Sequence, residues 1–201
     1  MKPGDEREWL ARARQGDDEA FAIVVERYQR PVFNLCYRML GDPYEAEDAA
    51  QEAFLKAYLG LDRYDPERSF RTWLLSIAAH ECVDQLRRRR FQWVSFDTVF
   101  RASEPAEGPE AQLEQALVRD RLQSVLSRLA PVDRGVIILR YWNDFSYAEI
   151  AETLSLSPAA VKSRLHRAKK TLAAGWIEFD AAPEQAVRSE RERGRNEIAA
   201  V

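Results

Sequence analysis

The sequence predicts an all-α protein made of two small helical domains joined by an irregular linker. Three observations carry that expectation. Apolar residues recur three and four positions apart through most of 19–90 and 117–172, the period of helices that bury one face. Residues with N-cap chemistry precede several of these stretches, Ser157-Pro158 most plainly, and Gly41-Asp42-Pro43 marks a turn between two of them. From Phe91 to about Gln112 regularity fails, in a stretch holding Pro105, Gly108, Pro109 and four acids, Asp97, Glu104, Glu107 and Glu110. The expected division is 1–91 and 117–176 as domains, 92–116 as linker, and 177–201 as a charged tail without a core pattern, expected to be disordered.

With 201 residues, 46% hydrophobic and 31% charged, the chain can build ordinary cores. A net charge of −3 argues against a generic polyanion binder. A local basic stripe can nevertheless bind DNA while acidic surface elsewhere serves another partner. No signal-peptide core stands at the N-terminus, and no run approaches the roughly 18–20 apolar residues of a membrane span. A cytoplasmic protein without membrane insertion is expected. Cys36 and Cys82 lie far apart in apolar helical patterns with no CxxC, so buried free thiols are expected.

Glu6 to Arg14 forms a short helix with Trp9, Leu10 and Ala13 on one side, ended by Gly16. Asp17 or Asp18 caps the next helix, whose apolar positions are Phe21, Val24, Val25, Tyr28, Val32, Leu35, Cys36, Met39 and Leu40, with a boundary or kink near Pro31. The third helix, Tyr44 to Leu59, turns Ala50, Phe54, Ala57 and Tyr58 inward. Asp48, Gln51, Glu52 and Leu55 cluster on an adjacent face. That cluster reads either as a well-started surface helix or as a protein-binding surface.

A loop over Leu61 to Ser69 leads into a helix from about Phe70 to Arg90, with Trp73, Leu74, Ile77, Ala78, Cys82 and Leu86 at helical spacing. Arg71, His80, Asp84, Arg87 and Arg88 mark its polar side. The run Arg87 to Arg90 suits a helix C-terminus, but four arginines exceed that need and read as phosphate-binding. Tyr64, Phe70 and Trp73 suit either stacking on unpaired bases or a place in the core. HECVD at 80–84 lacks the second histidine of a zinc helix. No Gly-rich phosphate loop and no nucleophile with a plausible base are seen, so no cofactor, metal or enzymatic chemistry is expected.

After the linker, Leu117, Leu122, Val125, Leu126 and Leu129 give one helix face, and Pro131-Val132-Asp133 starts the next helix. Ser146 to Leu172 then reads as a helix-turn-helix. Ser146 caps the first helix with Glu149 at capping-box spacing, Ser155-Leu156-Ser157 makes the corner, and Ser157-Pro158 starts the second helix. Val161, Leu165, Ala168 and Leu172 form its apolar stripe. Lys162, Ser163, His166, Arg167 and Lys170 form a second stripe flanked by Arg164 and Lys169, with no acid between Pro158 and Leu172. A solvated face is the plain alternative. The basic stripe lies instead on the helix that enters a major groove in this motif, and DNA binding is the stronger reading.

The order of these features resembles the extracytoplasmic-function sigma factors, the small two-domain class of the sigma-70 family. The resemblance covers about Asp18 to Arg90 and Leu117 to Ala173. It rests on DPYEAEDAAQEAFLKAY, FRTWLLSIAAHECVDQLRRRR and LAPVDRGVIILRYWNDFSYAEIAETLSLSPAAVKSRLHRAKKTL, in that order. It implies a specificity subunit that joins core RNA polymerase through the β′ clamp helices and the β flap, with Asp48, Gln51, Glu52 and Leu55 on the clamp contact. It implies −10 recognition and melting by the loop and helix holding Tyr64, Arg71, Trp73, His80, Asp84, Arg87 and Arg88. His80 stands where many relatives have Asn. It implies −35 recognition by Lys162, Ser163, Arg164, His166, Arg167 and Lys170, and a family partner of anti-sigma type. The alternative is a free-standing helix-turn-helix regulator that needs no polymerase.

Overall fold

The computed structural model describes residues 4–92 and 110–177. Most of the expected linker, including the apolar stretch from Trp93 to Phe100, and the tail from 178 onward lie outside the described residues. Everything described is helix, turn or short connection, as the periodicity predicts.

Helix α1 spans Gly4–Arg14 and α2 spans Asp18–Leu40. Asp17 caps α2, its carboxylate accepting from the Ala20 amide at 3.0 Å. Pro31 neither ends nor divides α2, contrary to the expected boundary. A proline inside a helix costs about 3 kcal/mol. Both halves of α2 turn core residues inward, Val24 and Tyr28 before the proline and Val32, Leu35, Cys36 and Met39 after it, and this shared burial outweighs the lost bond. Helix α3, Pro43–Leu59, is capped by Asp42, which accepts from the Tyr44 and Glu45 amides. It buries an alanine face of Ala46, Ala49, Ala50, Ala53 and Ala57, which lets α2 approach closely. Phe54 and Tyr58, expected inside, are only half-buried. A 3₁₀ turn at Leu61–Arg63 precedes α4, Phe70–Gln92. Cys36 and Cys82 are free, buried and in contact where α2 meets α4. The Cys36 hydrogen bond, then burial, push the Cys82 pKa upward and keep it a thiol.

Helix α5, Glu110–Ser127, begins inside the stretch read as linker. Helix α6 spans Pro131–Tyr141, α7 spans Tyr147–Thr153, and α8 covers 158–177. In α6 six successive residues, Arg134 to Leu139, are buried, because the helix is wedged against α2, α4 and α7. The hydrophobic core is therefore one continuous cluster, running from Leu10 through α2 and α4 into Ile137, Ile150 and Leu165. The two helical groups share it.

The C-terminal group also caps a helix of the N-terminal one. The last carbonyls of α2 have no partner within the helix. Gln123 donates to Tyr37 O at 2.9 Å and Arg38 O at 3.2 Å, and Arg134 Nη1 donates to Met39 O. Gly41, which ends α2 in the left-handed conformation at φ 84°, lies against Gln123: a Cβ there would come within 3.1 Å of its side-chain nitrogen. Arg134 also donates to Ser127 O at 2.8 Å. Burial, then the charge of Arg89, lowers its pKa to about 10, still charged at neutral pH.

Candidate nucleic-acid interface

The helix-turn-helix is assembled from local signals. Ser146 Oγ accepts from the Glu149 amide at 3.2 Å, and Glu149 Oε2 accepts from the Ser146 amide at 2.7 Å, a reciprocal capping box. These bonds hold Glu149 below the ordinary carboxylate range, Ser146 contributing most. At the corner Ser155 takes the left-handed conformation, φ 53°, and the Leu156 amide returns to Ala151 O at 2.8 Å. Ser157 Oγ accepts from the Ala160 amide at 3.2 Å and starts α8.

Val161, Leu165 and Ala168 are buried against the core, which fixes the rotation of α8. Lys162, Ser163, His166, Arg167 and Lys170 consequently stand exposed together. Arg164 is placed differently: it is half-buried and ion-paired with Asp133 of α6 at 2.6 Å. Its first task is to tie α8 to α6. The same packing brings Arg128 beside Arg164 and Arg167 around a polar basin of about 410 Å³ that also includes Asp133 and Thr171. Arg128 was not singled out in sequence, since nothing local links it to α8.

On α3, Asp48, Gln51 and Leu55 are exposed and Glu52 is half-exposed, pairing with Lys56 at 3.4 Å. The face is longer than the sequence reading gave. Tyr44 at 79% exposure and Leu59 at 73% extend it at both ends, in line with Leu55 at 52%. Behind it Lys56 also pairs with Glu81, which α4 buries at 6% exposure. Burial pushes the Glu81 carboxyl up, but Lys56, Gln85 and Arg88 outweigh it and its pKa falls below the ordinary value. This buried acid joins α3 to α4.

The residues read for the −10 element do not share one environment. His80, Asp84, Arg87 and Arg88 are exposed along the C-terminal half of α4. Tyr64 is buried: its ring packs 5.3 Å from Phe70 and 5.2 Å from Trp73, and its hydroxyl donates to Arg68 O at 2.6 Å. Trp73 is half-buried in the same cluster, 5.6 Å from Phe70. Arg71 reaches the other helical group and donates to Asn143 O at 2.9 Å.

Two family descriptions match these two groups. Sigma-70 region 2 matches residues 24–92, and Sigma-70 region 4 matches 119–172. The ECF RNA polymerase sigma factor SigW of Bacillus subtilis is 35% identical over 173 residues, covering 81% of this chain and 92% of that one. The chain belongs to the extracytoplasmic-function class of the sigma-70 family. As a sigma factor it directs core RNA polymerase to promoters. Sigma factor CnrH of Cupriavidus metallidurans is 32% identical, covering 87% of this chain and 96% of its own. The solved complex of CnrH with the cytosolic domain of CnrY shares the fold, with a TM-score of 0.64 at 30% identity, covering 88% of this chain and 99% of that one. The sigma factor RpoE of Bartonella quintana, solved with the anti-sigma factor NepR, shares the fold alone, with a TM-score of 0.63 at 23% identity, covering 78% and 96%. In this sigma factor α2 to α4 are region 2, and α5 to α8 contain region 4. Among the described residues no helix is long and apolar enough to cross a membrane.

Proposed function

We propose that this sigma factor reads the −35 element with α8 and the −10 element with α4 and the loop before it, while α3 docks on core polymerase. The single observation that supports it best is the exposed, acid-free face of α8, with Val161, Leu165 and Ala168 buried directly behind. Lysine and arginine reach phosphates or guanine edges, and Ser163 and His166 are short enough to approach bases. Arg128 and Arg167 line a basin suited to a backbone phosphate.

On α3 an acidic centre, Asp48, Gln51 and Glu52, lies between exposed Tyr44 and Leu59. Apolar anchors around a charged centre suit a helical partner, here the β′ clamp helices. The β flap is the second polymerase contact in this reading. His80, Asp84, Arg87 and Arg88 supply the exposed part of the −10 surface, Arg71 the part nearer region 4, and Trp73 the part beside the Tyr64–Phe70 ring cluster. The domains carrying these roles are 1–91 and 117–176.

The protein does no bond chemistry and needs no cofactor. Binding energy opens the duplex: unstacking a base costs a few kcal/mol, least where the duplex is weak, and contacts to the displaced strand offset it. Each surface alone is small, so the isolated chain binds promoter DNA weakly. The protein acts in the cytoplasm, under a protein partner of anti-sigma type. CnrH, solved in complex with the cytosolic domain of CnrY, supports that last element.

Run-off transcription with purified core polymerase and a promoter selected from a random library tests the whole reading. Transcript that depends on both core and this chain is expected. An isolated chain that footprints the promoter as strongly as the holoenzyme would overturn it.

A further inference from the structure

Helix α1 lies ahead of residues 24–92, the span matched to region 2, and no surface described above includes it. It is fixed to α2 along its length. Leu10 and Ala13 are buried, the Tyr28 hydroxyl donates to Glu6 Oε2 at 2.6 Å, and Arg27 pairs with Glu6 at 3.3 Å. At its end the chain turns through Gly16, φ 87°, and Arg12 pairs at 2.7 Å with Asp17, the cap of α2. Arg14 projects from this fixed end. Its Nη2 donates to Asp62 O at 2.5 Å, and its Nε lies 3.6 Å from the Asp62 carboxylate.

Asp62 stands in the 3₁₀ turn that opens the loop read for the −10 element. The far end of that loop is anchored from within. The Tyr64 ring packs on Phe70 and Trp73, the Tyr64 hydroxyl donates to Arg68 O at 2.6 Å, and the Glu67 amide donates to Asp65 Oδ1 at 3.0 Å. Asp65 to Ser69 are exposed. Among the described residues of the N-terminal helical group, Arg14 supplies the polar bonds that reach residues 61–68 from another helix.

Apolar packing does not do the same work on this side. A cavity of about 250 Å³ opens between Leu10 and Ala11 of α1 and Tyr64 and Pro66 of the loop. An unfilled gap supplies no dispersion contacts across it. The height of the loop over α1 is therefore set by the arginine. Its partner is a main-chain carbonyl, so the bond fixes backbone rather than a side chain, and a guanidinium brings charge and a planar fork to that bond.

We propose that Arg14 is a positioning residue for promoter choice: from α1 it fixes the backbone at Asp62, and with it the presentation of Tyr64 to Arg68 to the −10 strand. The proposal rests on the −10 reading given above. It adds to that surface a helix that need not touch DNA.

Promoter selection from a random library tests it, using holoenzyme made with the full chain. Arg14→Ala should flatten base preference at the −10 element by about fivefold, the worth of one charge-assisted hydrogen bond to the loop. Preference at the −35 element and binding to core should stay as in wild type. Arg14→Lys, which still donates to the carbonyl, should recover most of the preference. Asp62→Ala keeps the carbonyl and loses only an exposed carboxylate, so it should stay within about twofold of wild type. A purely structural role would instead lower the thermal transition and leave base preference intact.

Three outcomes would overturn the proposal: an unchanged −10 preference in Arg14→Ala, an Asp62→Ala variant as impaired as Arg14→Ala, or a uniform loss of affinity across promoters. The last, with a salt dependence reduced by about one ion, would make Arg14 a direct phosphate contact. The double variant Arg63→Ala, Glu67→Ala in the exposed loop separates the proposal from the reading beneath it. A shifted −10 preference there, with none in Arg14→Ala, removes Arg14 alone. No shift in either removes the loop from −10 recognition, and the positioning role with it.

Discussion

On α8 the side chains assigned to the −35 element stand in solvent, except Arg164, which Asp133 holds, and the residues behind them are locked in the core. On α4 the side chains assigned to the −10 element are divided. His80, Asp84, Arg87 and Arg88 face solvent, while Arg71 is bonded to region 4 and Tyr64, in the loop before α4, is enclosed by protein rings. The difference follows from the work each surface has to do. A recognition helix reads intact duplex and gains from being rigid and preformed. A melting surface must bind a strand that exists only after opening, and bare cations and aromatics there would attract nucleic acid in the wrong place.

Charge reversal on the docking face should have the largest effect on this contrast. Glu52→Lys sets like charge against the proposed partner surface, which costs several kcal/mol in comparable interfaces. Binding to core, measured by titration with labelled protein, should fall by about two orders of magnitude, while the thermal transition stays within about 0.5 kcal/mol of wild type. Unchanged core binding would remove α3 from the docking role. Next comes the packing between the two regions. Arg134→Ala leaves Met39 O and Ser127 O without their charged donor, a loss of about 2–3 kcal/mol that urea denaturation would report. The smallest effect is expected at the open surface. Arg167→Ala should weaken −35 recognition by about 1–3 kcal/mol in a promoter-binding assay with holoenzyme, with core binding unaltered. Untouched promoter choice would mean the wrong face of α8 has been assigned.

Much of the local structure was legible in the sequence. Ser146 with Glu149, Ser157 with Pro158, and the stripe Val161, Leu165, Ala168 predicted the helix-turn-helix and the face it exposes, because caps and helical faces depend on residues a few positions apart. The same reasoning overstated Pro31, where propensity yielded to a core that α2 buries on both sides of the proline. It also treated Arg164 as equal to Arg167. Both lie on one helix next to the same stripe, but Asp133, 31 residues away, claims only the first. Tyr64 and Trp73 could be stacking platforms or core by spacing alone, and the cluster with Phe70 decided that Tyr64 is core in this arrangement. Tyr44, Leu59, Glu81 and Arg128 gave no signal that set them apart, since their significance lies in which neighbours the fold supplies.

The sequence by itself determined most of the helices, several of their caps, the identity of the two regions and the exposed faces of α3 and α8. All of these are set by interactions within a turn or two of helix, where chain connectivity fixes the distance. Only the tertiary structure decided that the two regions share one core, that Gln123 and Arg134 cap a helix of the other region, and that α7 lies across α4. Those contacts join residues 70 to 95 positions apart. Their geometry comes from how apolar faces pack, and no local pattern records which donor will meet which acceptor.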